Sequence, residues 1–170
     1  MSPVEEVTAP ERVVRLDVGE RFPRVKTPRL GGGEITLPDD VAEGWAVVLL
    51  YRGHWCPYCR QQLGDFQRNL ERFRSADVEV LALSADPEGE AEATVEEHAL
   101  GFPVGYKLDP THAHEALGAY VGGDDGFVQA TGFVLRPGGR LVLAVYSSGA
   151  VGRLVAADVL GLIEYARAQE

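Results

Sequence analysis

A chain of 170 residues is long enough for one domain and can bury roughly 70% of the surface its unfolded form would expose, so it needs no disulfide or metal staple. Its 45% hydrophobic and 25% charged residues are ordinary for a soluble globular protein, and no apolar run approaches the roughly 20 residues of a membrane span. A formal charge of −10 sets the protein's own field against nucleic acid and anionic lipid, so neither is an expected partner.

Pro3, Pro10 and the absence of periodicity predict a flexible N-terminus over residues 1–12, with residues 13–170 forming a single domain. The first ten residues have neither the basic start nor the apolar centre of a secretory signal, which predicts a cytoplasmic protein. Residues 25–30 and 34–37, joined by Gly31, Gly32 and Gly33, read as two short strands of an edge hairpin that precedes the core. Residues 45–51, Trp-Ala-Val-Val-Leu-Leu-Tyr, show no polar alternation, as expected of a strand covered on both faces in a parallel or mixed sheet.

Gly53 then loosens the backbone ahead of both cysteines of the chain, Cys56 and Cys59. Beyond Pro57, the apolar Leu63, Phe66, Leu70 and Phe73 recur at helical spacing, and Gln61, Asp65, Arg68, Glu71 and Arg72 make the wet face. Residues 78–84 form the next strand. Asp86 and Pro87 give the cap-then-proline signature of a helix that stops near Gly101, with Glu88, Glu90 and Glu92 near its positive end. A short extended stretch over residues 102–106 precedes the same signature at Asp109 and Pro110, for a helix ending at about Gly118. After a glycine- and acid-rich loop at residues 122–126, strands at residues 131–135 and 140–146 flank the turn residues Arg136, Pro137, Gly138 and Gly139. The last helix covers about residues 155–168. This order predicts an α/β fold: a mixed central sheet flanked by helices on both faces, with an N-terminal β-hairpin extension.

The chemistry is concentrated where the central strand meets the helix. Two cysteines three residues apart cannot staple distant parts of a fold, so a reactive or metal-binding pair is what remains. Cys56 falls at a helix N-terminus, whose unpaired N–H groups and partial positive charge stabilise a thiolate and can lower a thiol pKa from about 8.5 to about 7 or below. Pro57 suits the first helical position, where its missing N–H removes an unpaired donor. Residues three apart on a helix lie about 5–6 Å from each other, close to the separation a disulfide wants. Cys59 shares the buried stripe with Leu63 and Phe66, whereas Cys56 is expected at the rim; Cys56 is therefore the expected nucleophile and Cys59 the resolving thiol. The alternatives are two inert core cysteines or a weak zinc half-site with His54, although zinc normally needs four ligands. His112 and His114, two apart on a helix, point in different directions, and His98 suits a helix end. Neither a metal nor an organic cofactor is expected.

Cys56-Pro-Tyr-Cys59 resembles the glutaredoxin motif, and Trp55 before it is similar to the thioredoxin pattern. The longer run Tyr-Arg-Gly-His-Trp-Cys-Pro-Tyr-Cys-Arg-Gln-Gln-Leu, residues 51–63, resembles the peroxiredoxin-like branch of the AhpC/TSA (redoxin) family of the thioredoxin-like superfamily. Residues 19–23, 81–85, 102–104 and 131–140 resemble that family's landmarks in order, so the likeness covers about residues 16–168.

The resemblance implies a thioredoxin-like fold and an antioxidant enzyme in which a cysteine thiolate attacks a hydroperoxide and then forms a disulfide with a second thiol. Thioredoxin, glutaredoxin or a low-molecular-weight thiol would reset it. Relatives often form homodimers, and no exposed apolar segment here compels that assembly. The chain departs from the pattern at three positions: Leu49 and Gly53 stand where peroxiredoxins carry a Pro and a Thr or Ser, and Gln129 stands where they place an arginine. Arg52 or Arg60 is expected to supply the charge. Thr131 occupies the place where thioredoxins set a cis-proline, as in peroxiredoxins. The alternative function is a thiol–disulfide oxidoreductase with little peroxidase activity, and a third reading is a non-enzymatic or metal-binding module.

Overall fold

The computed structural model describes residues 13–124 and 126–170, so the flexible segment expected over residues 1–12 lies outside the described residues. The expected hairpin comes first. Strand β1 (Val25–Pro28) pairs antiparallel with β2 (Glu34–Leu37), and all three glycines between them have positive φ, which glycine adopts without steric cost.

The remaining elements follow in chain order: β3 (Trp45–Leu50), α1 (Pro57–Arg68), α2 (Leu70–Ser75), β4 (Val78–Leu83), α3 (Glu88–His98), β5 (Val104–Gly105) and α4 (Pro110–Leu117), then β6 (Val121–Gly122), β7 (Phe127–Val128), β8 (Thr131–Arg136), β9 (Arg140–Tyr146) and α5 (Ala156–Ala168). Five of the strands form one sheet in the order β5-β4-β3-β8-β9, parallel from β5 to β3 and antiparallel from β3 to β9. It is the mixed sheet that the sequence predicts.

Strand β3 sits at the centre and is buried along its whole length. Its side chains alternate between two apolar layers. Val47 and Leu49 join Leu63, Phe66, Phe73, Val159 and Ile163, contributed by α1, α2 and α5; Ala46, Val48 and Leu50 join Phe22, Leu37, Leu117 and Phe133 on the other face. Helices therefore cover both faces, with the hairpin beside α4. No helix among the described residues is long and apolar enough to cross a membrane.

The helix after the cysteines departs from the expected single run. It breaks at Asn69, whose Nδ2 donates to Asp65 O at 2.8 Å and competes with the backbone for that carbonyl, so α1 ends and α2 restarts. The apolar stripe survives the break, since Leu63, Phe66, Leu70 and Phe73 are all buried. A second difference lies at α3. Asp86 does not cap it; Pro87 is the N-cap, and the Asp86 carboxylate instead accepts from the His54 N–H at 2.8 Å. That helix ends at His98, ahead of Gly101, because Ala99 takes a left-handed conformation. Asp109 does cap α4, accepting from Thr111 N at 3.0 Å, and Gly118 closes it at φ +77°. Within the glycine-rich loop, β6 and β7 form a small hairpin.

Candidate active site

The central strand ends at Leu50, and Tyr51 extends its ladder by one bond, N–H to Leu83 O at 3.1 Å. The chain then turns, with Cys56 N donating to Gly53 O at 3.1 Å, and enters α1. Cys56 is the N-cap residue of that helix, and its Sγ accepts from Cys59 N at 3.3 Å, in the place where a serine or aspartate oxygen would usually sit. Pro57 occupies the first turn, as its missing N–H predicts. The sulfur therefore meets an unpaired helical N–H and the positive end of the helix dipole.

Cys59 lies one turn further on, with its Sγ accepting from Arg52 N at 3.2 Å. Both thiols are free and both residues are buried, with 0% of their surface exposed. The expected rim position of Cys56 is thus corrected: two guanidinium groups close over its sulfur. Arg52 Nη1 is 3.7 Å from Cys56 Sγ and Arg153 Nη2 is 3.5 Å from it. What separates the two thiols is their surroundings. Burial pushes the Cys56 thiol up, but hydrogen bonds from the Cys59 thiol and backbone N–H, then from Arg52, and the charge of Arg153 together bring it below its ordinary value. Cys59 is pushed up to about 11, by burial first and then by its hydrogen bond to Cys56, against the opposing charge of Arg153.

Arg52 is held from several sides. Its Nε donates to Gln129 Oε1 at 2.9 Å, and its guanidinium carbon lies 4.8 Å from the Trp55 ring centre and 5.1 Å from that of Phe127. The two rings meet edge to face at 5.0 Å, so the half-exposed Trp55 and Phe127 form an aromatic seat for the cation. Thr131 is buried and donates its hydroxyl to Gln129 O at 3.0 Å, which braces the residue that holds Arg52. Arg60 is not brought to the sulfurs: its Nη1 pairs with Glu97 on α3 at 3.3 Å, and the expectation that it supplies charge to the thiols is corrected.

The same acidic residue faces His54 Nε2 at 3.6 Å, while His54 Nδ1 lies 2.8 Å from Thr94 Oγ1. Since the Thr94 hydroxyl donates to Glu90 O, Nδ1 is the donor of that pair. The imidazole is therefore engaged on α3 rather than with the thiols, and among the described residues no three His, Cys, Asp or Glu side chains are arranged to hold a metal.

Sequence reasoning missed Arg153. It lies between β9 and α5, and its Nη2 is 3.2 Å from Cys59 Sγ as well as 3.5 Å from Cys56 Sγ. The available signal was a single cation in the otherwise small and apolar run of residues 149–154, with no acidic neighbour. Helix α1 clamps this segment: Gln62 Nε2 donates to Leu154 O at 3.0 Å, and Asp65 Oδ2 accepts from Ala156 N at 2.8 Å. Leu154 also fills the space above Gly132, where an added Cβ would lie 2.5 Å from Leu154 Cδ1.

Gly53 has a steric reason. A Cβ there would lie 2.5 Å from Trp55 Nε1 and 2.9 Å from Asp86 Oδ1, so the position cannot carry a hydroxyl side chain while Trp55 keeps its place. Leu49 is fully buried in the core layer beneath α1. A cleft of about 760 Å³ lined by Asp40, Leu70, Arg74, Asp77, Glu79 and Phe102 opens at the opposite end of β4 and reaches neither thiol.

Comparison with known proteins gives a consistent relationship. The model of the family described as "AhpC/TSA family" matches residues 18–144. A protein named peroxiredoxin from Thermotoga maritima is 33% identical over 69 residues, which are 41% of this chain and 32% of that protein; the match spans about a third of that relative's length. A Mycobacterium tuberculosis (strain H37Rv) protein with a provisional peroxiredoxin name is 28% identical over 152 residues, covering 84% of this chain and 93% of that protein. Among solved structures, Mycobacterium bovis AhpC superposes with a TM-score of 0.76 at 22% identity, over 93% of this chain and 96% of the other. At that identity the likeness is one of fold.

Proposed function

The chain belongs to the AhpC/TSA family, and from that premise we propose that it is a thiol-dependent antioxidant oxidoreductase that reduces hydroperoxides through Cys56 and Cys59. The observation that carries this reading is the asymmetric pair: one thiol on a helix N-terminus, brought below its ordinary pKa, within reach of a second thiol one turn away.

The Cys56 thiolate attacks the terminal oxygen of a hydroperoxide, the O–O bond breaks, and the other oxygen leaves as an alkoxide or hydroxide that takes up a proton. Cys56 becomes a sulfenic acid. The Cys59 sulfur then attacks Cys56 Sγ, the S–O bond breaks, and water leaves with the proton released by Cys59. Two electrons have passed from the pair to the peroxide, and thioredoxin, glutaredoxin or a low-molecular-weight thiol returns them. Arg52 supports the developing negative charge from its seat on Trp55, Pro57 fixes the helix start beside the sulfur, and Thr131 acts through Gln129. The cytoplasm, where such thiols are kept reduced, is the compartment this cycle requires.

A second reading is a thiol–disulfide oxidoreductase. It is favoured by Gly53, which leaves the site without the hydroxyl that the resemblance leads one to expect. Peroxide removal with a thiol donor, measured beside insulin-disulfide reduction on one sample, separates the two. Peroxide consumption that depends on Cys56 supports the peroxidase, whereas fast insulin reduction with peroxide untouched replaces it with the second reading. Stoichiometric zinc bound through the cysteines would remove both.

A further inference from the structure

We propose that Arg15 is a positioning residue for the thiol pair: its guanidinium fixes Tyr120, and through Tyr120 the small hairpin and the glutamine that hold Arg52 against Cys56. The inference rests on Cys56 as the reactive thiol, and its geometry does not depend on the oxidant.

Arg15 lies ahead of β1, where the chain crosses to the C-terminal end of α4. Its guanidinium carbon sits 4.0 Å from the Tyr120 ring centre and 5.6 Å from that of Tyr146 on β9. Among the described residues no carboxylate forms an ion pair with Arg15, so the faces of these two rings are what its charge meets. The main chain seats the segment as well. Leu16 N donates to Tyr146 Oη at 3.1 Å, and that hydroxyl donates to Leu117 O at 2.5 Å. Gly118 leaves room for the crossing, since an added Cβ there would lie 2.8 Å from Arg15 Cα. From the helix side, His114 Nδ1 donates to Ala119 O at 2.8 Å. Tyr120 is exposed, and the cation holds its ring in place.

Tyr120 carries one wall of the site. Its carbonyl accepts from Gln129 N at 2.8 Å, and it leads directly into β6, where Val121 pairs with Val128 and Gly122 with Phe127. The packing there is close: an added Cβ on Gly122 would lie 2.6 Å from Phe127 Cζ and 2.7 Å from Gln129 Nε2. Phe127 and Gln129, one ring and the acceptor that seat Arg52, therefore follow Tyr120. Arg52 Nε meets Gln129 Oε1 at 2.9 Å, and its Nη1 is 3.7 Å from Cys56 Sγ. That last contact is already long, so a small shift of the seat weakens it. One cation before the first strand thus sets how closely a second cation approaches the thiolate.

The test is the pH midpoint of iodoacetamide alkylation at Cys56, read by fragment mass spectrometry on the full chain. Arg15→Ala is expected to raise the midpoint by about 0.5 pH unit, a part of the roughly 1–3 units that an opposite charge within about 4–6 Å is worth. Arg15→Lys keeps a cation over the ring and should restore most of the difference. In an Arg52→Gln background Arg15→Ala should add nothing, because the route ends at Arg52. An unchanged midpoint in a folded Arg15→Ala chain overturns the inference, and so does a shift of equal size with Arg52 absent, which would mark a general loosening of the fold. If Arg15→Ala does not fold, Tyr120→Leu decides: it keeps the carbonyl and removes the ring, and an unchanged midpoint there overturns the inference. Peroxide takes no part in these measurements, so a chain that ignores peroxide yet shows the shift loses the peroxidase reading and keeps Arg15 in its role.

Discussion

Arg52 and Gln129 are tied by a hydrogen bond from Nε to Oε1 at 2.9 Å, which joins the loop after the central strand to the entry of β8. Gln129 is itself fixed, its N–H donating to Tyr120 O at 2.8 Å and its carbonyl accepting from Thr131 Oγ1 at 3.0 Å. A chain of bonds from Thr131 thus ends at the guanidinium that faces Cys56 Sγ.

Replacing Gln129 with Leu removes the acceptor and leaves Arg52 Nε without it. An unsatisfied donor costs about 1–3 kcal/mol, which on a reaction barrier corresponds to about 5- to 150-fold, so peroxide turnover should fall by a factor in that range. Steady-state peroxide consumption checks this, and an unchanged rate would show that Arg52 does not depend on Gln129 for its place.

The two thiols should titrate in opposite directions from the ordinary value of about 8.5. Alkylation at Cys56 should begin below that pH, and Cys59 should resist until close to pH 11. The same shifts act on stability with opposite signs. Cys56, depressed in the folded state, contributes stability that is present above the unfolded thiol pKa and is lost as pH falls through its folded value. Cys59, raised in the folded state, makes stability decline as pH rises from about 8.5 towards 11. Urea midpoints of the parental chain and of Cys59→Ser across that range should diverge as pH rises; parallel curves would contradict the environment assigned to Cys59.

Gly132→Ala should disturb the site from within the core layer that the thiols share with Leu154. The new methyl lies 2.5 Å from Leu154 Cδ1, and overpacking of this kind typically costs about 1–3 kcal/mol. Leu154 must move, and Arg153 beside it loses its register with the sulfurs. Adding Leu154→Ala should recover part of the lost Cys56 reactivity, measured by alkylation at fixed pH. No recovery would mean that Gly132 acts by another route.

Gly53→Thr would place a hydroxyl where the family resemblance puts one. Because its Cβ would meet Trp55 Nε1 at 2.5 Å, the substitution should displace the indole rather than improve peroxide use. A shifted tryptophan emission together with slower turnover is the expected pair of results, and faster turnover with unchanged emission would contradict the packing described above.

Much of this was legible in the residues. The apolar run of β3 has no polar alternation because both of its faces are covered, and the cysteine spacing with Pro57 fixes a helix start beside a sulfur. Asp109 and Gly118 bracket α4 as their capping chemistry requires. Asp86 carries the same signature as Asp109, yet it serves His54 instead of its helix, since a tertiary partner competes successfully for a local cap. Arg153 was illegible for a related reason: it meets Cys59 across 94 positions, and neither periodicity nor a local motif encodes such a contact. Burial of Cys56 was missed with it, because two arginines from different segments provide the cover.

The central claim is that Cys56 takes the oxygen and Cys59 resolves it. The most direct test treats Cys59→Ser with one equivalent of hydroperoxide in the presence of a dimedone-type reagent and locates the adduct by peptide mass spectrometry. An adduct on Cys56, with the parental chain instead losing two hydrogens to a Cys56–Cys59 disulfide, is the predicted result. Peroxide left unconsumed with Cys56 unlabelled in a folded protein, or an adduct in Cys56→Ser at Cys59, would contradict it.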